Sequence, residues 1–126
     1  MAKKHAQWKQ RPENDDYEAA LAYLGLQFTQ STARGLVAKA RRASRIERIA
    51  KDLLRASYLP LLSADEKHVA EDLKRIHKGK PLSPIIVIQG DLTKNRPFII
   101  ADGYHRVCAA CHADEDAPVA AVLASL

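Results

Sequence analysis

The chain has 126 residues, which bounds it to one domain with a single modest core, and its 47% hydrophobic content is ordinary for a globular protein. No apolar run is long enough to span a membrane, and the polar start (Met1-Ala-Lys-Lys, then Gln7, Trp8 and Lys9) does not read as a signal peptide. Two cysteines are too few for a disulfide framework, so the expected compartment is the reducing cytoplasm. The net charge of +5 is uneven: residues 1–50 hold ten Lys and Arg against five Asp and Glu, whereas residues 51–126 hold ten of each. Such an excess fits either a solvated basic face or weak attraction to nucleic acid or another acidic partner.

In chain order, residues 1–14 read as a loose polar arm, with Trp8 expected to dock on its own domain or on a subunit neighbour. Asp15 or Asp16 can cap a helix from Tyr17 to Leu24 that Gly25 closes. Ser31 or Thr32 can start a second helix reaching Ala43, followed by a basic cluster of Lys39, Arg41, Arg42, Arg45 and Arg48. These two helices define an N-terminal basic helical extension, residues 1–44, ahead of a domain over residues 45–126. A helix-turn-helix reading of the pair lacks a row of base-reading side chains.

The segment Arg45 to Ile49 fits a short strand, or a helix running on through Leu53 and Leu54. Ser63 and Glu66 have capping-box spacing ahead of a helix to His77. Its apolar face is Val69, Leu73 and Ile76, with His68 beside that face in a structural role. Pro84-Ile-Ile-Val-Ile88 predicts a central strand buried on both faces. Gly90 to Arg96 is a polar loop, Phe98 to Ala101 a neighbouring strand, and Ala117 to Leu123 a last strand opened by Pro118. The expected class is α+β: a small mixed sheet with surrounding helices, preceded by the helical extension.

The stretch with the most chemistry is Asp102-Gly103-Tyr104-His105-Arg106, a glycine turn between the strand at Phe98 and a helix from Tyr104 to His112. Gly103 tolerates unusual backbone shapes and lets a ligand approach closely. Unpaired amides at a helix start favour an anion, and Arg106 adds a forked permanent cation. The five residues therefore read as a site for a phosphate or carboxylate group. The bland alternative has Asp102 capping the helix and Arg106 paired with an internal carboxylate. Cys108 and Cys111 lie inside the helix without a second ligand pair, and read as packing thiols rather than a metal or redox centre.

The same corner, followed by Ala109, resembles the signature of the ParB/sulfiredoxin superfamily. The likeness runs over residues 45–124, through Leu53 to Leu62, the helix Ala64 to His77 and the Pro-led strand from Lys80 to Ile88. It implies that the corner holds the phosphates of ATP, ADP or CTP with magnesium. Gly103 and the amides of Tyr104 and His105 would line them, Arg106 would neutralise charge, and Asp102 would hold the metal or buttress the turn. Sulfiredoxins carry their catalytic cysteine where this chain has Tyr104, so their activity is not implied. A free-serine kinase of the superfamily has a similar corner, which makes a small-molecule kinase or nucleotide hydrolase the second reading. Asp52, Glu47 and Glu66 are the candidate bases, and no catalytic residue is assigned. The third reading is a DNA- or protein-binding accessory related to partition proteins. It would use the basic N-terminal helices in place of the helix-turn-helix and dimerisation regions of those proteins. A homo-oligomer is compatible with all three.

Overall fold

The structure is a computed structural model that describes residues 5–126. Four helices lie in the first two thirds of the chain: α1 (Asn14–Gln27), α2 (Gln30–Arg42), α3 (Ala50–Ser57) and α4 (Lys67–His77). A fifth, α5 (Tyr104–Ala113), follows the strand β3 (Ile99–Asp102). The other strands are β1 (Ile46–Ile49), β2 (Ile85–Ile88) and β4 (Pro118–Ala124). They form one mixed sheet in the order β1-β4-β2-β3, with β4 parallel to β2 and both outer pairings antiparallel. This is the small α+β architecture that the element pattern implies.

Strand β2 explains how the layers assemble. All four of its branched residues are buried, so each face of the sheet must be covered. Ile85 and Val87 pack with Ile100, Val119 and Ala121 against α3, α4 and α5. Ile86 and Ile88 pack with Ala101 and Val122 against α1 and α2, through Leu24, Leu36 and Val37. The N-terminal helices thus form the second layer on the sheet. Burying each large side chain of β2 contributes about 2 kcal/mol by transfer from water.

The ends of the helices depart from expectation for local reasons. Helix α1 begins at Asn14 because Glu13 and Asp16 cap each other's amides, and it runs through Gly25 to Gln27. Helix α4 begins only at Lys67. Ser63 is spent on a tight turn that accepts from the Asp65 amide, and Glu66 is the cap that accepts from the Val69 amide at 2.9 Å. Residues 45–57 combine both readings: β1 pairs with β4, and α3 starts immediately after it. The described part of the N-terminal arm is tied down rather than loose. Gln7 and Lys9 exchange backbone hydrogen bonds with Leu82, and Trp8 Nε1 donates to Pro118 O at 3.2 Å. Arg11 donates to the last carbonyls of α2, including those of Arg41 and Ala43. Residues 1–4 lie outside the described residues.

Helix α3 ends on Tyr58, which is left-handed (φ 58°, ψ 27°) with its ring 75% exposed. Glycine is the residue suited to this position, since a Cβ there costs about 1 kcal/mol and the exposed ring returns little by burial. Tyr58→Gly is therefore expected to raise the unfolding midpoint in urea by an amount worth about 0.5–1 kcal/mol, with an unchanged slope.

Candidate functional site

The corner is built where β3 meets α5. Gly103 has φ 108°, outside the range that side-chain-bearing residues adopt comfortably. A Cβ there would lie 2.4 Å from Cγ2 of Ile85 and 3.0 Å from Nη2 of Arg106. Glycine is thus required because α5 presses onto β2, which accounts for it without a ligand's approach.

Arg106, one helical turn into α5, points back across that glycine. Its Nη2 donates to Oδ2 of Asp102 at 2.8 Å and reaches Pro84 O at 3.4 Å, while Nη1 lies 3.7 Å from Oδ1 of Asp16. Its Nε is buried without a hydrogen-bond partner, so all of these pairings are made at the far end of the guanidinium. The Asp102 side chain is 16% exposed. Burial raises its carboxyl above the ordinary aspartate value, Arg106 pulls it down by less, and the neighbouring Asp16 raises it further. The corner is consequently two carboxylates sharing one guanidinium.

His105 lies on the outer side. Its Nε2 is 3.8 Å from Oε2 of Glu66, and its ring centroid is 5.0 Å from that of His68. Glu66 is held below its ordinary value, mainly by the Val69 amide it accepts from. His68 was expected beside the apolar face of α4 but is more than half exposed near the start of that helix. Tyr104 turns away from the corner, its hydroxyl donating to Pro60 O. Behind it Cys108 is fully buried and Cys111 partly so, and burial raises both thiols. Cys108 is a packing thiol, as the sequence suggests, whereas Cys111 stays partly exposed beside α3.

The corner opens into a cleft of about 370 Å³. Asp102, Gly103, His105 and Arg106 line one wall, and α4 supplies His68, Glu71, Asp72 and Arg75. Asp72 is 7% exposed and accepts from Arg75 at 2.8 Å. Past Arg106 and Arg75 a second recess of about 290 Å³ runs on to Lys9, Glu13 and Asp16. In the first cleft Glu71, Asp72 and Asp102 face two guanidiniums, and each guanidinium is already paired. No side chain caps α5, so its N-terminus adds about half a positive charge. The lining thus holds three carboxylates and two guanidiniums, with His68 beside Glu71 and His105 beside Glu66.

The expectation of a nucleotide-phosphate cradle at Asp102, Gly103, Tyr104, His105 and Arg106 is corrected by this geometry. The cation it relies on is neutralised from within, Tyr104 is absent from the cleft, and a third and a fourth carboxylate stand at the opening. Asp102 is engaged with Arg106, and among the described residues no group of three or more His, Cys, Asp or Glu is placed to hold a metal. Of the candidate bases only Glu66 is near the corner. Asp52 pairs with Arg55 on α3, and Glu47 lies on the outer strand β1. Three of the basic cluster are engaged internally, Lys39 with Ser125 O, Arg41 over the Tyr17 ring and Arg45 with Lys9 O, whereas Arg48 reaches the carbonyl of its own neighbour Glu47 at the surface.

No family model, curated protein or solved structure matches the chain. The expectation of a cytoplasmic protein narrows to one statement: no helix among the described residues is long and apolar enough to cross a membrane.

Asp16, Glu71 and Asp72 are missing from the sequence reading of the site. Asp72 carried a legible signal, since it falls on the α4 face defined by Val69 and Ile76, where a carboxylate needs a partner. Asp16 carried none, because 86 residues separate it from Asp102 and its cap role explains it locally.

Proposed function

We propose that this chain is a domain of the ParB/sulfiredoxin kind whose corner cleft binds a small polar molecule through a cationic group, an amine or a guanidine. The order β1-α3-α4-β2-β3-α5-β4, with the glycine corner between β3 and α5, supports the likeness. One observation carries the ligand class: three carboxylates face two guanidiniums in the cleft, and each guanidinium already has a carboxylate beside it. Glu71, which no guanidinium holds, would take the cation first, with Asp102 and Asp72 offering their remaining lone pairs beside it. A volume of about 370 Å³ suits a molecule the size of an amino acid or a short diamine.

Calorimetric titration with putrescine, arginine and inorganic pyrophosphate tests the reading on the wild type and on Asp102→Asn. Saturable binding of a cationic probe is expected, weakened about tenfold or more in Asp102→Asn by loss of one charge-assisted contact. Thermal unfolding of the variant checks that it is folded. Binding of pyrophosphate with no binding of either cation would overturn the proposal.

A further inference from the structure

The concave surface around α3, on the other side of α5 from the corner, has a composition suited to a partner. Helix α3 is only eight residues long, and recesses lie on several sides of it. Ile46, Leu123, Val87 and Phe98 lie together in a recess of about 230 Å³ there. A second recess of about 260 Å³ lies between Tyr58 and Leu92. A third, a trough of about 850 Å³, runs along α3 over Leu54, Leu59 and Leu61. Ala56 borders all three, so they adjoin around it as one grooved surface.

Its apolar lining is unusually open. Tyr58 is 75% exposed, Leu92 72% and Leu61 46%. Tyr58 occupies a left-handed position that suits glycine, and it presents its ring to solvent. The charged lining is one-sided. Arg48, Arg55 and Arg96 stand against one lining carboxylate, Asp52, while Lys51 is paired with Asp116 beyond the rim. Among the described residues Arg48 has only a backbone oxygen as partner, and Arg55 is 80% exposed in a side-chain pair that solvent screens. An apolar floor under a cationic rim is complementary to a chain carrying apolar anchors among carboxylates.

We infer that this groove docks an acidic peptide segment of another protein, with leucine or phenylalanine anchors seated along α3 and carboxylates on Arg48, Arg55 and Arg96. A single-stranded nucleic acid fits less well. Stacking needs a row of flat rings, and this floor is aliphatic apart from Tyr58 and Phe98.

The test is two-dimensional NMR titration of the full chain with three probes. The first is a twelve-residue peptide of Asp and Glu interspersed with Leu and Phe. The second is the same peptide with Lys at every acidic position, and the third is an oligothymidine. The acidic peptide is expected to shift resonances of α3, Tyr58 to Leu61 and Gly90 to Phe98, and to bind less tightly as salt rises. The double variant Tyr58→Ala/Arg96→Glu should lose at least tenfold in affinity while its remaining spectrum is preserved, as both side chains are exposed. Arg42→Glu, on the opposite layer, should bind as the wild type does. Equal binding of the lysine peptide, shifts outside the groove, or tighter binding of the oligothymidine in the groove would each overturn the inference. The corner cleft shares no lining residue with this groove, so neither result depends on the other.

Discussion

Replacing Gly103 by alanine is expected to cost about 3 kcal/mol of stability or more, the largest effect of any one-atom change at the corner. Two penalties add. The backbone at φ 108° is strained for any residue with a Cβ, at about 1–2 kcal/mol. The new atom also meets Ile85 at 2.4 Å, and Ile85 is fully buried at the centre of the sheet. Overpacking of that kind costs about 1–3 kcal/mol. Two other glycines supply internal controls. Gly79 is also left-handed, at φ 70°, but a Cβ there meets nothing within 4 Å, so Gly79→Ala should cost about 1 kcal/mol. Gly35 lies within α2 with open space around it, so Gly35→Ala should be neutral or stabilising by up to about 1 kcal/mol. Urea unfolding ranks the three. A Gly103→Ala variant no less stable than Gly79→Ala would mean that α5 does not press on β2 as described.

The fold was largely legible because its signals are local. Four branched residues in a row at Ile85 to Ile88 announce a strand covered on both faces, and the covering helices follow from that requirement. The Ala-rich run after Gly103 gives α5 nearly to the residue. What was not legible depends on side chains choosing between partners. Glu66 could complete a box with Ser63 or cap the helix itself, and the choice moves the start of α4 to Lys67. Gly25 could close α1, yet the helix continues because Leu24 is wholly buried against the sheet layer. At the corner the sequence supplies residue types but no pairings. Arg106 reads equally well as a phosphate donor and as a structural cation. Only the fold brings Asp16 to it from the first turn of α1, and so decides in favour of the internal pair.

That internal pair leads to the other large expected effect, which depends on pH. Arg106→Ala should destabilise the protein by about 3 kcal/mol near neutral pH, because it leaves Asp102 and Asp16 facing each other without a counter-charge in a partly enclosed site. The sign of the pH dependence follows from Asp102, whose carboxyl already lies above its unfolded value. A group raised in this way binds its proton more tightly in the folded state. Its contribution is fully present below the unfolded value, about 3.9, and is lost as pH rises through the folded value. Without Arg106 both the burial and the Asp16 charge act unopposed, so the folded value rises further and more stability is lost over that interval. The deficit of Arg106→Ala should therefore be small in acid and grow as pH climbs from about 4 toward neutrality. Asp102→Asn should cost less than Arg106→Ala, since it removes the desolvated charge and leaves Arg106 with Asp16. The double variant Asp102→Asn/Arg106→Ala should be more stable at neutral pH than Arg106→Ala alone, with a flatter pH profile. Urea titrations of these chains between pH 4 and 7.5 measure all three relations. A deficit of equal size across that range, unrelieved by Asp102→Asn, would show that Arg106 acts by packing its side chain rather than by holding two carboxylates together.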